Sequence, residues 1–391
     1  MNSFSFWSPT KIVFGADTAR CAGQEVKLFG SSNILVLYGG GSAVKSGLLD
    51  KVSQSLTEAG LQYHCVGGIQ PNPRAELAQQ IVDAYWMQEI DFVLGVGGGS
   101  VIDTGKAVAH GFASPQIPVW DFFSGKAQVT ASLPVGAILT IAAAGSETSD
   151  SAVLTNQALG EKRGLSTPFN RPKFTLMDPT LTYTLPPRHT ACGVTDILMH
   201  TLDRYFAPDT DNAVTDGLAE SLMRTVIQYG RHAMEKPNDY KARSELMWAG
   251  SLSHNGLTGL GQSKDFAVHQ LGHALSARYD IPHGESLSAV WGAWAKTVCR
   301  ENIARFAQYA RYVWLVTDPD DITAAYAGIA RTVEYFRSLG MPVTITQAAG
   351  PQSEEDIDEL TELCSYHGTR RIGSFKVLDA HAIRTIYNLA K

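Results

Sequence analysis

Residues 91–110, DFVLGVGGGSVIDTGKAVAH, decide how the first half of the chain folds. A short run rich in Val, Leu and Phe enters Gly97-Gly98-Gly99-Ser100, and a helical pattern over 101–110 opens behind it. Residues 33–45, NILVLYGGGSAVK, repeat the arrangement with Gly39-Gly40-Gly41-Ser42. Further strand-like runs fall at 62–66, 135–141 and 173–177, with helical stretches between runs at 46–59 and 74–86. The runs are apolar rather than strictly alternating, as in strands covered on both faces of a parallel sheet. Strand and helix in alternation predict an α/β domain.

Outward from that core pattern, the character changes after Leu185-Pro186-Pro187. From Thr190 onward strand-like runs vanish and amphipathic helical patterns take over, at 211–229, 240–255, 322–339 and 354–366. The expectation is an α/β dinucleotide-binding domain over 1–186 with a mostly parallel sheet, followed by an all-helical, metal-binding domain over 187–391. A chain of 391 residues is long for one core, which agrees with two domains.

The net charge of -6 supplies no basic field for nucleic acid and no polycationic patch for an anionic membrane. No run of about 18 apolar residues predicts a membrane span, and the first residues show no secretory signal. Five cysteines (Cys21, Cys65, Cys192, Cys299, Cys364) lie scattered without a CxxC pair, as in a reducing compartment. These features predict a cytoplasmic protein acting on a small molecule.

Glycines at a strand-to-helix turn let the backbone approach a ligand closely. The free N–H groups and positive end of the following helix favour phosphate. Neither turn is a GxGxxG fingerprint, but two at the ends of neighbouring predicted strands point to a dinucleotide. A site preferring NAD places a carboxylate at the end of such a strand for the ribose hydroxyls. Here that place holds Gly39, Gly40 and Gly41, with Ser42 and Lys45 behind, so a 2′-phosphate is accepted and NADP(H) is expected, NAD being the alternative.

Residues 193–206, GVTDILMHTLDRYF, set Asp196 and His200 at i, i+4, one turn apart on one helix face. Residues 265–287, DFAVHQLGHALSARYDIPHGESL, add His269 and His273 at the same spacing and His283 after a proline. Any one histidine is more often a satisfied core or surface residue. Three of eleven histidines within fifteen residues, beside a DxxxH, point instead to one shared ion. A carboxylate with imidazoles suits zinc or iron(II). Five candidates compete for four places, and spacing leaves the choice open.

These stretches resemble the iron-containing (group III) alcohol dehydrogenases. GGGSVIDTGKAVA from Gly97, LTIAAAGSETSDSAV at 139–153, MDPTLTYTLPP at 177–187 and the two histidine segments are similar to that family's blocks, in the family's order. The tyrosine and triple glycine at 38–41 resemble the NADPH-dependent aldehyde reductase and butanol dehydrogenase branch. The resemblance implies Asp196, His200, His269 and His283 as ligands of one zinc or iron(II), zinc being favoured. It leaves His273 near the nicotinamide and substrate. It further implies pyrophosphate at Gly98, Gly99 and Ser100 with Asp103 beside it, cofactor contacts at Thr140, Ser149, Lys162 and Leu181, and Asn72 near the adenosine. The two-domain plan is that of dehydroquinate synthase-like proteins, and a homodimer is implied. Departures are Asp203, where glutamate is usual, and AAAGS at 142–146.

The expected reaction is hydride transfer between NADP(H) and small to medium aldehydes or primary alcohols, mainly aldehyde reduction, with butanal as a representative substrate. His273 either relays a proton or orients the nicotinamide, and Asp103 stands with it as a catalytic candidate. Trp120, Phe122 and Phe123 are candidates to line an apolar substrate pocket, although aromatic residues in such a run are as often core. An NAD-preferring alcohol or polyol dehydrogenase, and a dehydroquinate synthase-like lyase, are the alternatives. The lyase would need more basic residues than Lys264 and Arg278 near the histidines. A binding-only role would need degraded ligand positions, and all five candidates are intact.

Overall fold

A computed structural model describes residues 1–208 and 211–391. Two compact units divide the chain: Trp7–Thr184, and Leu185–Lys391 together with Met1–Phe6.

In the first unit the strands are β1 (Lys11–Phe14), β2 (Asn33–Tyr38), β3 (Gln62–Val66), β4 (Phe92–Gly97), β5 (Val135–Leu139), β6 (Ser151–Asn156), β7 (Glu161–Ser166) and β8 (Phe174–Met177). The helices are α1 (Ala22–Lys27), α2 (Ser42–Lys45), α3 (Leu48–Glu58), α4 (Ala75–Tyr85), α5 (Gly99–Ala113) and α6 (Val119–Ser124). Six strands form one sheet in the order β1-β8-β5-β4-β2-β3, every pair parallel. Strands β6 and β7 form a separate antiparallel hairpin.

Period-two geometry sends alternate residues of each strand to opposite faces. Leu35, Leu37 and Val93 pack with Ala78, Ile81, Val82 and Val108 of α4 and α5. Ile34, Val36, Phe92, Leu94 and Val96 pack with Val26 of α1 and Val52 and Leu56 of α3. Both faces of β2 and β4 are therefore core, which is why those runs read as apolar rather than alternating. Each such buried side chain contributes about 1.5–3 kcal/mol relative to exposure. Two elements are absent from the sequence expectation. They are the four-residue edge strand β1 and the hairpin β6–β7, whose second strand, EKRGLS, carries no apolar run.

The second unit is helical: α7 (Pro187–Tyr205), α8 (Ala213–Glu235), α9 (Tyr240–His254), α10 (Ala267–Tyr279), α11 (His283–Val298), α12 (Ile303–Trp314), α13 (Asp321–Ser338), α14 (Ile345–Ala349), α15 (Glu354–Ser365) and α16 (Ala380–Leu389). Proline at the first position starts α7, where a missing N–H costs nothing. Nearly all of α7 from Gly193 onward is buried, so it is the central helix of its unit rather than an amphipathic surface one. At its end the buried Arg305 of α12 donates to Asp216 of α8 (2.5 and 2.7 Å) and to the carbonyl oxygen of Tyr205 (3.0 and 2.7 Å). A buried guanidinium is tolerable only when so fully paired. Met1–Phe6 joins this unit through Asn2, whose N–H donates to the Gly261 carbonyl. No described helix is long and apolar enough to cross a membrane.

Candidate metal centre and nucleotide-binding turns

Helix α7 carries Asp196 and His200 on one face, with Asp196 Oδ1 and His200 Nδ1 3.3 Å apart. From α10, His269 brings Nε2 to 3.7 Å from the same oxygen. Pro282 caps the start of α11, whose first residue, His283, places Nε2 3.9 Å from it. Three imidazole nitrogens from three helices thus face one carboxylate oxygen. His273 lies to the side, its ring 6.3 Å from that of His269 and 5.3 Å from that of His283.

The donor set fits a divalent ion. Bonds of about 2.1 Å in a tetrahedral site put neighbouring donors about 3.4 Å apart. Asp196, His200 and His269 offer donor atoms within 4.8 Å of one another. Asp196 Oδ1, His200 Nδ1 and His269 Nε2 are all buried without a hydrogen-bond partner, which is costly unless something else satisfies them. Burial, followed by the charges of His254, His269 and Arg204, holds His200 well below the ordinary imidazole value, so its lone pair is free to coordinate. For His269 burial pulls downward, but the neighbouring carboxylates of Asp196 and Asp203 outweigh it and the net shift is upward. A cation would reverse that balance by competing for the same nitrogen.

Two residues join this site that motif reading gave no role: Asp203, met only as a departure from the usual glutamate, and His254, which it passed over. Asp203 accepts from the His269 ring at 2.5 Å, and the ring of His254, at the end of α9, stands nearly perpendicular to that of His200 with centroids 4.0 Å apart. Asp203 sits seven residues after Asp196, on the same helix face, so the spacing carried the signal. His254 comes from a distant helix with no motif around it.

In the α/β unit, the glycine turns leave the carboxyl ends of adjacent parallel strands, the usual position for ligands in such sheets. Gly98 caps α5, and Ser100 lies in its first turn. A Cβ on Gly98 would meet Ile141 Cγ2 at 2.2 Å, and one on Gly99 the Ala144 Cβ at 2.9 Å. Gly41, at φ 115°, caps the short α2, and both Ser42 and Lys45 are exposed there. Thr140 follows β5 and donates its N–H to the Gly97 carbonyl. Leu181 is half-buried in the turn after β8. Lys162 on β7 donates to Asn72 Oδ1 at 2.9 Å, and Asn72 holds a left-handed φ of 54°.

Asp103 is placed differently from the others. Its two oxygens accept from Ser146 Oγ (2.5 Å) and the Val153 N–H (3.0 Å). Three residues on, the fully buried Lys106 donates to the carbonyls of Ser146 and Ser151, both at 2.7 Å. Burial pulls Lys106 down to about 8, against the pull of Asp103 and Glu147. Together Asp103 and Lys106 fasten residues 146–153, the stretch holding Ser149, to α5. Sequence reading met Lys106 in the family block from Gly97 and Ser146 in the departing AAAGS stretch, and gave neither a role of its own. Of the two readings of the aromatic run, the core one holds for Phe122 and Phe123, and Trp120 stacks on Phe123 at 6.4 Å.

The family model "Iron-containing alcohol dehydrogenase" matches residues 9–179, and "Fe-containing alcohol dehydrogenase family, C-terminal" matches residues 190–390. The chain is 36% identical to NADH-dependent butanol dehydrogenase A of Clostridium acetobutylicum over 389 residues, covering 99% of each. It is 34% identical to the NADPH-dependent aldehyde reductase YqhD of Escherichia coli, covering 100% of each. The crystal structure of NADH-dependent butanol dehydrogenase A from Thermotoga maritima superposes with a TM-score of 0.96 at 36% identity, covering 100% of this chain and 99% of that one. With both family models spanning almost its whole length, the chain belongs to the iron-containing alcohol dehydrogenase family.

Proposed function

We propose that this protein is a metal-dependent oxidoreductase that moves hydride between NADP(H) and small to medium aldehydes or primary alcohols, working mainly as an aldehyde reductase. The observation that carries the reading is the convergence of His200, His269 and His283 on one oxygen of Asp196, at 3.3, 3.7 and 3.9 Å. Relatives at 34–36% identity are named for butanol dehydrogenase and aldehyde reductase activity, which supports the substrate class.

In this reading Asp196, His200, His269 and His283 hold zinc or iron(II), which when bound polarises a carbonyl and stabilises an alkoxide. The amides at Gly98–Ser100 and the positive end of α5 hold the pyrophosphate. Ser42 and Lys45 receive the 2′-phosphate, and Lys162, steadied by Asn72, adds a hydrogen-bond donor to the cofactor. His273 either orients the nicotinamide or relays the proton that the product oxygen requires. Fixing the reactants in place and presenting charge where it develops supply most of the acceleration. Asp103 serves by fastening residues 146–153.

The names of four relatives, two from Clostridium acetobutylicum and two from Bacillus subtilis, favour NADH instead. NADP(H) is preferred because residues 38–46 contain no carboxylate to repel a 2′-phosphate. Protein loaded with zinc or iron(II) and given butanal is expected to consume NADPH faster than NADH. A chelator should abolish turnover, and His200→Ala should bind no metal and turn over no substrate. A preference for NADH would overturn the cofactor assignment, and a metal-loaded, active His200→Ala would overturn the ligand set.

A further inference from the structure

The N-terminus of α10 has one side-chain acceptor from its own approach, Asp265 Oδ1, which accepts from the Ala267 N–H at 2.9 Å. Phe266 occupies the cap position in a left-handed conformation, φ 54° and ψ 14°, and no side-chain hydrogen bond closes the first turn from there. A second acceptor is supplied from another helix. Asp203 of α7 has one oxygen, Oδ2, 3.3 Å from the backbone nitrogen of His269 and 2.5 Å from Nδ1 of the same residue's ring. The backbone carbonyl of Asp203 also accepts from the Asp265 N–H at 2.9 Å, just before α10 begins. Asp203 is fully buried, and its other oxygen has no hydrogen-bond partner. A carboxylate so placed acts toward a single residue, His269, at both backbone and ring.

This arrangement has a chemical consequence. Ionised, Asp203 is an acceptor only, so a bond to Nδ1 requires the proton on Nδ1. The neutral ring then presents the lone pair of Nε2, the atom 3.7 Å from Asp196 Oδ1. Asp196, His200 and Asp203 occupy i, i+4 and i+7 on α7, so one helix face supplies two donors and the group that aims a third.

We propose that Asp203 is a positioning residue for the metal centre, fixing the tautomer and orientation of His269 while capping α10 from α7. The inference rests on the metal reading above. A carboxylate behind a ligating imidazole raises the ligand's basicity and cuts the entropy of assembling the site, an effect typically worth 10–100-fold in metal affinity. The positive end of α10 steadies the negative charge of Asp203 in turn.

The test measures cobalt(II) and zinc affinity of the full-length protein, the visible spectrum of the cobalt(II) form, and the thermal midpoint of the metal-free protein. Asp203→Asn, nearly isosteric, is expected to weaken metal binding about tenfold or more and to shift the cobalt(II) band. Asp203→Glu, which restores the charge, is expected to recover affinity to within about threefold. The metal-free midpoint should fall by no more than the few degrees that a weakened cap costs and NADPH binding should not change, whereas a merely structural role would lower the midpoint without shifting the cobalt(II) band. Nitrogen-15 spectra of histidine-labelled wild-type zinc protein give a reading independent of any variant's folding, with His269 protonated at Nδ1. Wild-type affinity and an unchanged cobalt(II) spectrum in Asp203→Asn would overturn the proposal, as would a His269 protonated at Nε2. Failure of the wild-type protein to bind one ion that His200→Ala abolishes would overturn the metal reading and this inference together.

Discussion

At the scale of single residues, Gly98 and Gly40 belong to similar turns for different reasons. A methyl group on Gly98 would sit 2.2 Å from Ile141 Cγ2, a branched neighbour that cannot swing aside, whereas one on Gly40 meets nothing within 4 Å. Gly40 is also not among the positive-φ glycines. Gly98→Ala is therefore expected to destabilise the fold by about 1–3 kcal/mol through overpacking, lowering the thermal midpoint by several degrees. Gly40→Ala should leave the midpoint within about a degree but raise the KM for NADPH severalfold, because the added methyl group stands where cofactor must approach the backbone. Melting curves and steady-state kinetics of the two variants decide this. A Gly40→Ala protein with unchanged KM would remove that turn from the cofactor site. The triple-glycine pattern was readable in the sequence, but not this difference, which depends on Ile141 more than forty residues away in the chain. Asp103 teaches the same lesson. Its spacing from the glycines marked it as a candidate, and only the fold shows both its oxygens held by Ser146 and Val153.

At the scale of elements, α5 is tied down at both ends of its length, and its C-terminal half gives a pH-dependent prediction. His110 is fully buried, with Nε2 2.8 Å from Asn170 Oδ1 in the turn after β7. Burial, partly opposed by that hydrogen bond, lowers its pKa from 6.5 to about 4. The unfolded chain therefore takes up a proton near pH 6.5 that the folded chain refuses until about pH 4. More protons on the unfolded state mean that stability falls as pH falls through that window. The loss from this group between pH 7 and 4.5 is about 2 kcal/mol. His110→Gln keeps a donor for Asn170 and removes the titration. The stability gap between wild-type and variant metal-free protein should shrink by about that amount across the window, read from urea midpoints at each pH. A gap independent of pH would show that His110 titrates normally. The elements themselves divide by how local their cause is. Strands β2 and β4 announced themselves because both faces are buried, and α10 because its histidines repeat at one turn. Strand β1, four residues long at the sheet edge, owes its existence to pairing with β8, from Lys11↔Phe174 onward, and no local pattern records a partner so distant. The hairpin β6–β7 escaped because its second strand, EKRGLS, is polar.

At the scale of the molecule, the proposed chemistry is divided between two units, and that division can be tested without turnover. The proposed metal donors Asp196, His200, His269 and His283 all belong to the unit containing Leu185–Lys391. Gly39–Lys45, Gly98–Ser100, Thr140, Ser149, Lys162 and Leu181 all belong to Trp7–Thr184. A ligand stabilises the structure it binds in proportion to its saturation, by about 2.7 kcal/mol at a hundredfold excess over its dissociation constant, or about a hundredfold in the exchange of amides that open with that structure. Zinc added alone should slow amide exchange in α7, α10 and the first turn of α11. NADPH added alone, at the same ratio to its own dissociation constant, should slow exchange at 39–45, across the first turns of α5 and through 140–150. Hydrogen-exchange mass spectrometry resolves these segments as separate peptides. Protection of the α5 turn by zinc alone, or of α10 by NADPH alone, would refute the assignment of one ligand to each unit. If each ligand protects its own segments, the helical unit is the metal-holding part of the enzyme and the α/β unit its nucleotide-binding part. The bond between Asp203 and His269 should then matter to zinc and leave NADPH binding untouched.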